Sequence, residues 1–393
     1  GFRAAGIATG LVWAIAPWSV TFAIGGLETS VLVGLATATF YLHLTHRPVG
    51  AAAAGALALL TRPDALLFLG PLAIGRALQI RKSAPPGRPG ELFAFGAPLV
   101  AWLAWSQVYF GSPIPHSLFA KSVAYQIPAE AGLVRLLQHY ATPFLEHELL
   151  GAGAIRVGIV LYPALFLLGA LSATRANREG WQILAYPGLY LLAFAIANPL
   201  LFRWYLTPPL PMYFLGLFIG ASRVSKDLRS RVPLLGFATL ALASTASAWD
   251  WTPDHGARRP APKMAFIELE LLYEHTAELV ETRLSSNQVL AASDIGALGY
   301  YTGARILDML GLVSAEASQY YPAPPSMYVI NYAIPPDLVR DLKPDMVVML
   351  EVYGRNGLLL DPAFQESYQL VDELPTDIYG SRGLLIFVRK ESE

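Results

Sequence analysis

The sequence predicts a polytopic α-helical membrane protein with a small α/β domain at its C-terminal end. Of its 393 residues, 54% are hydrophobic and 15% are charged, whereas soluble globular proteins carry about 25% charged residues. The charges are unevenly distributed: residues 1–250 hold 17 basic and 9 acidic side chains, and residues 251–393 hold 11 and 20. A long apolar part with a net charge of +8 therefore precedes a shorter, acidic, water-soluble part with a net charge of −9.

The apolar part divides into segments that approach the length of a membrane span. A spanning helix needs roughly 20 mostly apolar residues. Arg62-Pro63 separates two of the segments, which suggests a tilted pair broken at this proline, because proline cannot donate a backbone hydrogen bond. We expect a bundle of about nine spans within residues 1–250: 5–24, 29–44, 49–61, 64–80, 91–110, 153–172, 181–200, 206–221 and 232–249.

The basic residues predict how this bundle is oriented. Short loops rich in Lys and Arg face the cytoplasm, and four such loops alternate regularly with the others. The remaining loops, the long loop 111–150 and everything after Asp250 are then expected outside the cytoplasm. Within that long loop, apolar residues of Leu133–Leu149 recur at helical spacing, which is typical of a helix lying on the membrane surface. The four basic loops carry Arg47; Arg81, Lys82 and Arg88, with Arg76 at the edge; Arg175 and Arg178; and Arg223, Lys226, Arg229 and Arg231.

The chain after the bundle reads as a linker, 251–262, followed by a soluble domain, 263–393. Helical and strand patterns alternate in this domain, which predicts a small α/β layer. Its glycines do not form G-x-G-x-x-G, so no dinucleotide site is predicted. We expect helices at 263–284 and 336–342, a short helix or turn at 295–301, and strands at 289–292, 305–310, 346–350, 368–371 and 384–389.

Composition excludes several kinds of chemistry. The chain has no cysteine, which excludes disulfides, thiolate metal sites and a cysteine nucleophile. No basic patch with interleaved aromatic residues is present, which argues against a nucleic-acid partner.

Three polar groups stand at helix breaks on the predicted outer side. Glu28 follows Gly25-Gly26 and could either function or simply cap the next helix. Arg62 and Asp64 flank Pro63 and could form a local ion pair, although an arginine fork also suits two phosphate oxygens. Charged groups at such positions are costly unless they function or reach out to water.

Two further outer segments carry candidate residues. His116 and Lys121 follow a loop stiffened by Pro113 and Pro115, a combination that favours an anionic ligand. Arg203, next to Trp204 and Tyr205, joins two predicted spans; it could reach out to the interface, but its position favours function.

Other polar groups favour structural roles. The spacing of the outer-loop His and Glu residues matches no standard zinc motif: His139, Glu146, His147 and Glu148. Asp294 and Asp308 end predicted strands, where such residues usually cap or turn the chain.

The order of these motifs resembles the GT-C superfamily of membrane glycosyltransferases. It is most similar to the bacterial branch with arabinofuranosyltransferase-like and with lipid-A or protein mannosyl-transferring members. The stretch from Ser293 to Leu312 also resembles a C-terminal domain common in that branch. The motifs are Gly26-Leu27-Glu28-Thr29, Leu60-Thr61-Arg62-Pro63-Asp64-Ala65, Phe110-Gly111-Ser112-Pro113-Ile114-Pro115-His116-Ser117 with Ala120-Lys121, and Arg203-Trp204-Tyr205 with Pro208 and Pro211.

The resemblance implies a reaction at the outer face of a bacterial plasma membrane. A sugar would pass from a polyprenyl-phosphate carrier to a glycan, lipid or protein acceptor. Some relatives bind a divalent metal near their acidic residues and others do not, so no cofactor is assigned. By this resemblance, the cations that bind the donor phosphate would be Arg62, Lys121 and Arg203. The catalytic carboxylate would be Glu28. The substrate pocket would include Asp64, His116 and Tyr205.

The family pattern also includes a segment that this sequence lacks. A first acidic residue, the usual general base, lies in the first outer loop, and Glu28 corresponds to the acidic residue of the second. We therefore expect the sequence to be N-terminally truncated. Two other function classes stay open: a non-catalytic membrane scaffold that binds a partner, and a transporter of lipid-linked sugars. A transporter would favour charges in mid-span and paired repeats, and neither pattern is found.

Overall fold

The computed structural model describes residues 2–83, 89–249, 265–285 and 287–390. Arg88, Asp250 and the predicted linker 251–262 lie outside this part of the chain, as do the side chains of Arg81 and Lys82. The chain forms two compact units. The first comprises Gly1–Pro113 and Ala129–Trp251, and the second comprises Ile114–Pro128 and Thr252–Glu393.

Helices build the first unit. Proline occupies the first turn of several of them, where its missing N–H costs no hydrogen bond. A short 3-10 turn, Pro63–Ala65, separates α4 from α5. The first fourteen helices, of which α7 belongs to the second unit, are α1 Arg3–Ile15, α2 Pro17–Ile24, α3 Thr29–Leu44, α4 Pro48–Thr61, α5 Leu66–Ser83, α6 Pro89–Phe110, α7 His116–Ala124, α8 Ala131–Ala141, α9 Glu146–Leu150, α10 Gly153–Ala176, α11 Gly180–Ala197, α12 Arg203–Leu206, α13 Leu210–Asp227 and α14 Val232–Ser247.

Three helices of the described chain are long and apolar enough to cross a bilayer: α6, α10 and α11. The pair α1 and α2 meets the same condition with a 49° bend between them, which makes four if the pair is one span. Helices α3, α4 and α14 are apolar but shorter, and α5 and α13 each carry three charged residues. Helices thus form at all nine predicted segments, but their length and composition support three or four spans rather than nine.

Three apolar clusters lie in the described part of the first unit, and the smallest joins Leu136, Leu201 and Leu206. Of the other two, one centres on α10 and α13, with Phe144, Phe214 and Phe218 buried in it. The other joins α3, α4, α5 and α11 through Phe40, Phe68 and further aromatic and aliphatic side chains. This last cluster lies beneath the break that carries Arg62 and Asp64, and it therefore supports the candidate site.

A mixed five-stranded sheet forms the second unit. The strand order is β2-β1-β3-β5-β4; β1 pairs in parallel with β2 and β3, and β5 pairs antiparallel with β3 and β4. All five residues of the central strand β3 are buried, as expected for a strand covered on both faces. The strands and remaining helices are β1 Val289–Ala292, β2 Arg305–Asp308, β3 Met346–Leu350, β4 Tyr368–Pro375, β5 Gly383–Arg389, α15 Ala265–Glu281, α16 Gly296–Thr302, α17 Pro336–Leu342, α18 Glu351–Gly354 and α19 Pro362–Ser367.

The predicted outer loop 111–150 is divided between the two units. Its part Ile114–Pro128 belongs to the second unit, where Ala124 is buried in the apolar core. The Gln126 N–H donates to the Asn331 carbonyl at 3.0 Å, and the Tyr328 hydroxyl donates to the Ala124 carbonyl at 3.1 Å. The predicted surface helix forms as two helices, α8 and α9, in the first unit.

Candidate functional site

Arg62 is the centre of a polar network within the first unit. Because Pro63 disfavours a helical conformation in the residue before it, α4 ends at Thr61 and Arg62 is extended, with φ −153° and ψ 134°. Arg62 is 5% exposed. Its Nε donates to Asp64 Oδ1 at 3.0 Å, and its Nη2 donates to Asp64 Oδ2 at 2.8 Å. The local pair expected from the sequence therefore forms as a two-pronged contact.

Glu28 reaches this network from another helix break. Gly26 has a φ of +68°, a conformation that glycine adopts readily, and the turn it makes directs Glu28 away from α2. The Glu28 side chain does not cap α3. Its Oε1 instead accepts from Arg62 Nη1 at 3.3 Å, and the side chain is 44% exposed. The carboxylate is thus held by Arg62 while it stays accessible to solvent or a ligand.

Two tyrosines complete the surroundings of Arg62. The guanidinium carbon of Arg62 lies 4.8 Å from the centre of the Tyr205 ring, within the range of a cation–π contact. The Tyr190 hydroxyl lies 2.6 Å from the Tyr205 carbonyl oxygen and 3.2 Å from Asp64 Oδ2. Tyr205 follows Arg203 on the short helix α12, so the network joins the predicted outer breaks at 28, 62–64 and 203–205.

The charges of the network restrict what Arg62 can bind. Burial opposes the charged guanidinium, but the bonds and charge of Asp64 outweigh it, and the pKa of Arg62 lies above its ordinary value. Two carboxylates share this one cation, which leaves a net charge of −1. In this arrangement Arg62 positions Glu28 and Asp64 rather than presenting a free fork to a phosphate.

A pair of arginines lies on the adjacent elements α8 and α12. The Gly132 N–H donates to Asn198 Oδ1 at 2.8 Å, and His139 Nε2 donates to the Leu206 carbonyl at 3.0 Å. These bonds dock α8 against the segment that carries Arg203. Arg135 lies between Gly132 and His139 in the sequence of α8. Burial and the charge of Arg203 lower the pKa of Arg135.

This arginine pair lacks an acidic counterpart among the described residues. Both residues are exposed at their surfaces, although the protein around Arg135 removes enough water to lower its pKa. Neither forms a salt bridge in that part of the chain. The charge of Arg203 lowers the pKa of Arg135, and two positive charges that repel each other in this way favour an anionic ligand. Sequence reasoning missed Arg135 because helical periodicity places it on the polar face of an amphipathic helix. Its proximity to the charge of Arg203, which lies 68 residues later in the chain, is a tertiary feature.

His116 and Lys121 lie in the second unit. His116 opens α7, and its Nε2 lies 2.7 Å from Ser318 Oγ; Lys121 follows in the same helix. The structure thus brings Glu28, Arg62 and Asp64 together with Tyr205, and Arg203 lies on the same short helix as Tyr205. It places His116 and Lys121 in the second unit.

The acidic residues do not form a metal site among the described residues. No group of three or more His, Cys, Asp or Glu side chains converges there. Glu28 and Asp64 both bind Arg62, so this set does not fit a divalent ion. Of the outer-loop residues, His139 bonds to a backbone carbonyl, and His147 lies 3.3 Å from Glu148.

The carboxyl edge of the sheet in the second unit carries three acidic residues. Asp308 accepts from the backbone N–H groups of Leu310 and Val313 and therefore shapes its own loop. Glu351 binds Arg355 through two bonds. Asp294 accepts from the Tyr273 hydroxyl at 2.7 Å, and burial raises the pKa of its carboxyl. Asp308 thus stabilises its own loop, and Glu351 is paired with Arg355.

Comparison with known proteins finds similarity in the second unit. Residues 265–387 match a family model described as "Domain of unknown function (DUF8728)". No curated protein and no solved structure matches the chain.

Proposed function

We propose that the chain is a membrane glycosyltransferase that moves a sugar from a polyprenyl-phosphate carrier to an acceptor outside the cytoplasm. The arginine pair Arg135–Arg203 carries this proposal. Uncompensated cations next to apolar helices suit a ligand that combines a phosphate with a long apolar chain. The order of motifs along the chain, which resembles the GT-C superfamily, supports the same reaction class.

The residues suggest a division of labour. In the transfer, an acceptor oxygen bonds to the anomeric carbon of the sugar, and the bond from that carbon to the phosphate oxygen breaks. The leaving phosphate gains negative charge, which Arg135 and Arg203 stabilise. The acceptor hydroxyl loses its proton, and the half-exposed Glu28 is the carboxylate proposed to orient this hydroxyl and accept the proton. Arg62 holds Glu28 in place.

Three single substitutions test this assignment in the full chain, reconstituted in lipid discs. We expect Arg203→Ala and Arg135→Ala each to lower the transfer rate by about tenfold to a hundredfold, because hydrogen bonds to charged groups contribute about 1.5–3 kcal/mol. Arg156→Ala is the matched control, since Arg156 is also an exposed arginine without a salt bridge among the described residues. The assay measures transfer of radiolabelled pentose and hexose from synthetic polyprenyl-phosphate donors.

The outcomes separate the proposal from its rivals. Wild-type rates in both arginine variants would remove the phosphate role. Tight binding of polyprenyl phosphate without turnover of any donor by the wild-type chain would favour a binding protein. Movement of the intact donor across vesicle membranes would favour a transporter.

A further inference from the structure

A buried carboxyl group lies at the end of a cavity that the proposed reaction does not use. The chain breaks after α8, and Leu145 takes the left-handed conformation with a φ of 64°. Such a conformation costs a branched residue about 1–3 kcal/mol and persists only where the surroundings enforce it. It turns Glu146 inward, where the residue is 1% exposed.

The Glu146 carboxyl is surrounded by donors and has no cation. The Tyr162 hydroxyl bonds to Oε1, and the Phe144 N–H donates to Oε2 at 3.2 Å. Glu146 forms no salt bridge with any residue in the described ranges. A buried carboxylate without a cation is costly, and such groups are protonated instead. Burial accordingly raises the pKa of Glu146.

A protonated Glu146 leaves one hydrogen without an acceptor. The acid and the Tyr162 hydroxyl each carry one acidic hydrogen, but among the residues that the structure describes their shared contact is the one bond available to these two hydrogens. Either Tyr162 donates and the acid hydrogen stays unused, or the acid donates and the phenol hydrogen stays unused. A buried donor without an acceptor costs about 1–3 kcal/mol. An acceptor oxygen supplied by a ligand would remove this cost.

The adjoining cavity has the shape and lining for the rest of such a ligand. Its volume is about 270 Å³, larger than the engineered cavity of about 150 Å³ that binds benzene. Glu146 and Tyr162 supply its polar end. Val157 and Leu161 on α10 are 62% and 44% exposed, so the cavity opens along an apolar helix. The remaining lining is apolar and includes Leu150, Ala154 and Leu240.

We propose that this cavity binds a neutral amphiphile, with its apolar chain along α10 and an acceptor oxygen of its head bonded to the Glu146–Tyr162 pair. An anionic head would find no cation here. A cationic head would require Glu146 to ionise within an apolar surrounding. The site shares no residue with the Arg62 network, so the proposal is independent of the transfer reaction.

The test uses the full chain in detergent micelles and a hexadecanol that carries a photoreactive diazirine in its chain. A matched probe ends in a methyl group instead of the hydroxyl. Gly153 lines the cavity, and a Cβ built on it meets open space, so Gly153→Leu adds a large apolar side chain at the cavity lining. Gly188→Leu is the control, because Gly188 is equally open and lies on α11, away from the cavity lining. Circular dichroism and the unfolding midpoint establish that each variant is folded.

We expect the alcohol probe to label the peptide 146–162 at least tenfold more than the methyl probe. Gly153→Leu should abolish this labelling, and Gly188→Leu should retain it. Glu146→Gln, which keeps a donor, should retain the preference for the alcohol, whereas Glu146→Leu should reduce it to near unity. Equal labelling by both probes in the wild-type chain, or unchanged labelling in Gly153→Leu, would overturn the proposal.

Discussion

His139 is a buried imidazole held in its neutral form. Its Nε2 donates to the Leu206 carbonyl at 3.0 Å, and Trp18 packs edge-on against the ring, with centroids 5.2 Å apart. The pKa of His139 is lowered from 6.5 to about 4, mainly by burial, with smaller contributions from the charges of Arg135 and His147. The contact that docks α8 against α12 therefore depends on an uncharged ring.

This lowered pKa predicts that acid destabilises the first unit. The unfolded chain binds a proton at His139 below about pH 6.5, whereas the folded chain binds it only near pH 4. The contribution of His139 to the free energy of unfolding is thus present above pH 6.5 and falls by on the order of 3 kcal/mol by pH 4. His139→Gln keeps a donor for Leu206 but does not titrate. The difference in unfolding midpoint between wild type and variant, followed by tryptophan fluorescence from pH 8 to pH 4, should shrink or change sign towards pH 4; parallel curves would contradict the prediction.

At the residue scale, sequence reasoning predicts which groups meet but not how they pair. Pro63 reveals the break that exposes Arg62 and Asp64, and Gly25-Gly26 reveals the turn before Glu28. The regular alternation of loops then predicts that these breaks share one side. The partner of each Arg62 nitrogen depends on side-chain distances of about 3 Å, which are set by helix packing. For the same reason, the sequence predicts a phosphate role for Arg62 but not the bonds that its nitrogens make to Asp64 and Glu28 in the structure.

At the scale of elements, the core of the first unit depends on two helices, α10 and α13, that pack closely together. Helices α10 and α13 cross where glycines face each other. A Cβ placed on Gly169 would lie 1.9 Å from the Gly216 carbonyl oxygen, and one on Gly220 would lie 2.1 Å from the Leu165 carbonyl oxygen. Small residues at such crossings allow backbones to approach, which is the usual way in which apolar helices associate in membranes.

Gly220→Ala should therefore destabilise the helix pair although alanine is the better helix former. The added methyl group meets a backbone oxygen, which cannot rotate away, so we expect a loss of about 1–3 kcal/mol or more in the free energy of unfolding. Gly188→Ala is the matched control, since its Cβ meets no atom within 4 Å, and it should be neutral or stabilising by about 0.5–1 kcal/mol. Unfolding midpoints of the purified variants in detergent check both values; equal midpoints would show that the crossing tolerates a methyl group.

Most helices and strands can be predicted from the sequence, but the unit to which each segment belongs cannot. Apolar runs and prolines predict the helices of the first unit, and β1 and β3 form at the predicted residues. The surface helix expected over Leu133–Leu149 divides instead, because residues 142–145 turn and bury Glu146. The assignment of Ile114–Pro128 to the second unit depends on contacts with residues some 200 positions later, such as Tyr328. Periodicity carries no information about such contacts.

The whole chain combines a basic helical unit with an acidic α/β unit. Basic loops predict cytoplasmic ends for α10, α13 and their neighbours, whereas Glu28, Arg62 and Arg203 lie at breaks between those loops. Length and composition alone support α6, α10 and α11 as membrane-spanning helices. Helix α13 is as long as α11, but its three charged residues argue against a span. Whether α13 crosses the membrane therefore decides whether the loops before and after it lie on opposite sides. This in turn decides which side of the membrane the candidate site faces.

Single-cysteine labelling answers this question directly, because the native chain contains no cysteine. Between residues 152 and 228 the chain passes through α10, α11 and α13, and between 228 and 315 it passes through α14. If all four helices cross, Ala152→Cys and Ala315→Cys lie on one side and Leu228→Cys on the other; all three positions are exposed. The loop with Arg223, Lys226, Arg229 and Arg231 places Leu228 in the cytoplasm. A membrane-impermeant maleimide should thus label Ala152→Cys and Ala315→Cys in intact cells, and Leu228→Cys only after lysis. The reverse pattern would place Glu28 and Arg203 on the cytoplasmic side, and labelling of Ala152→Cys and Leu228→Cys from the same side would mean that α10, α11 and α13 do not all cross.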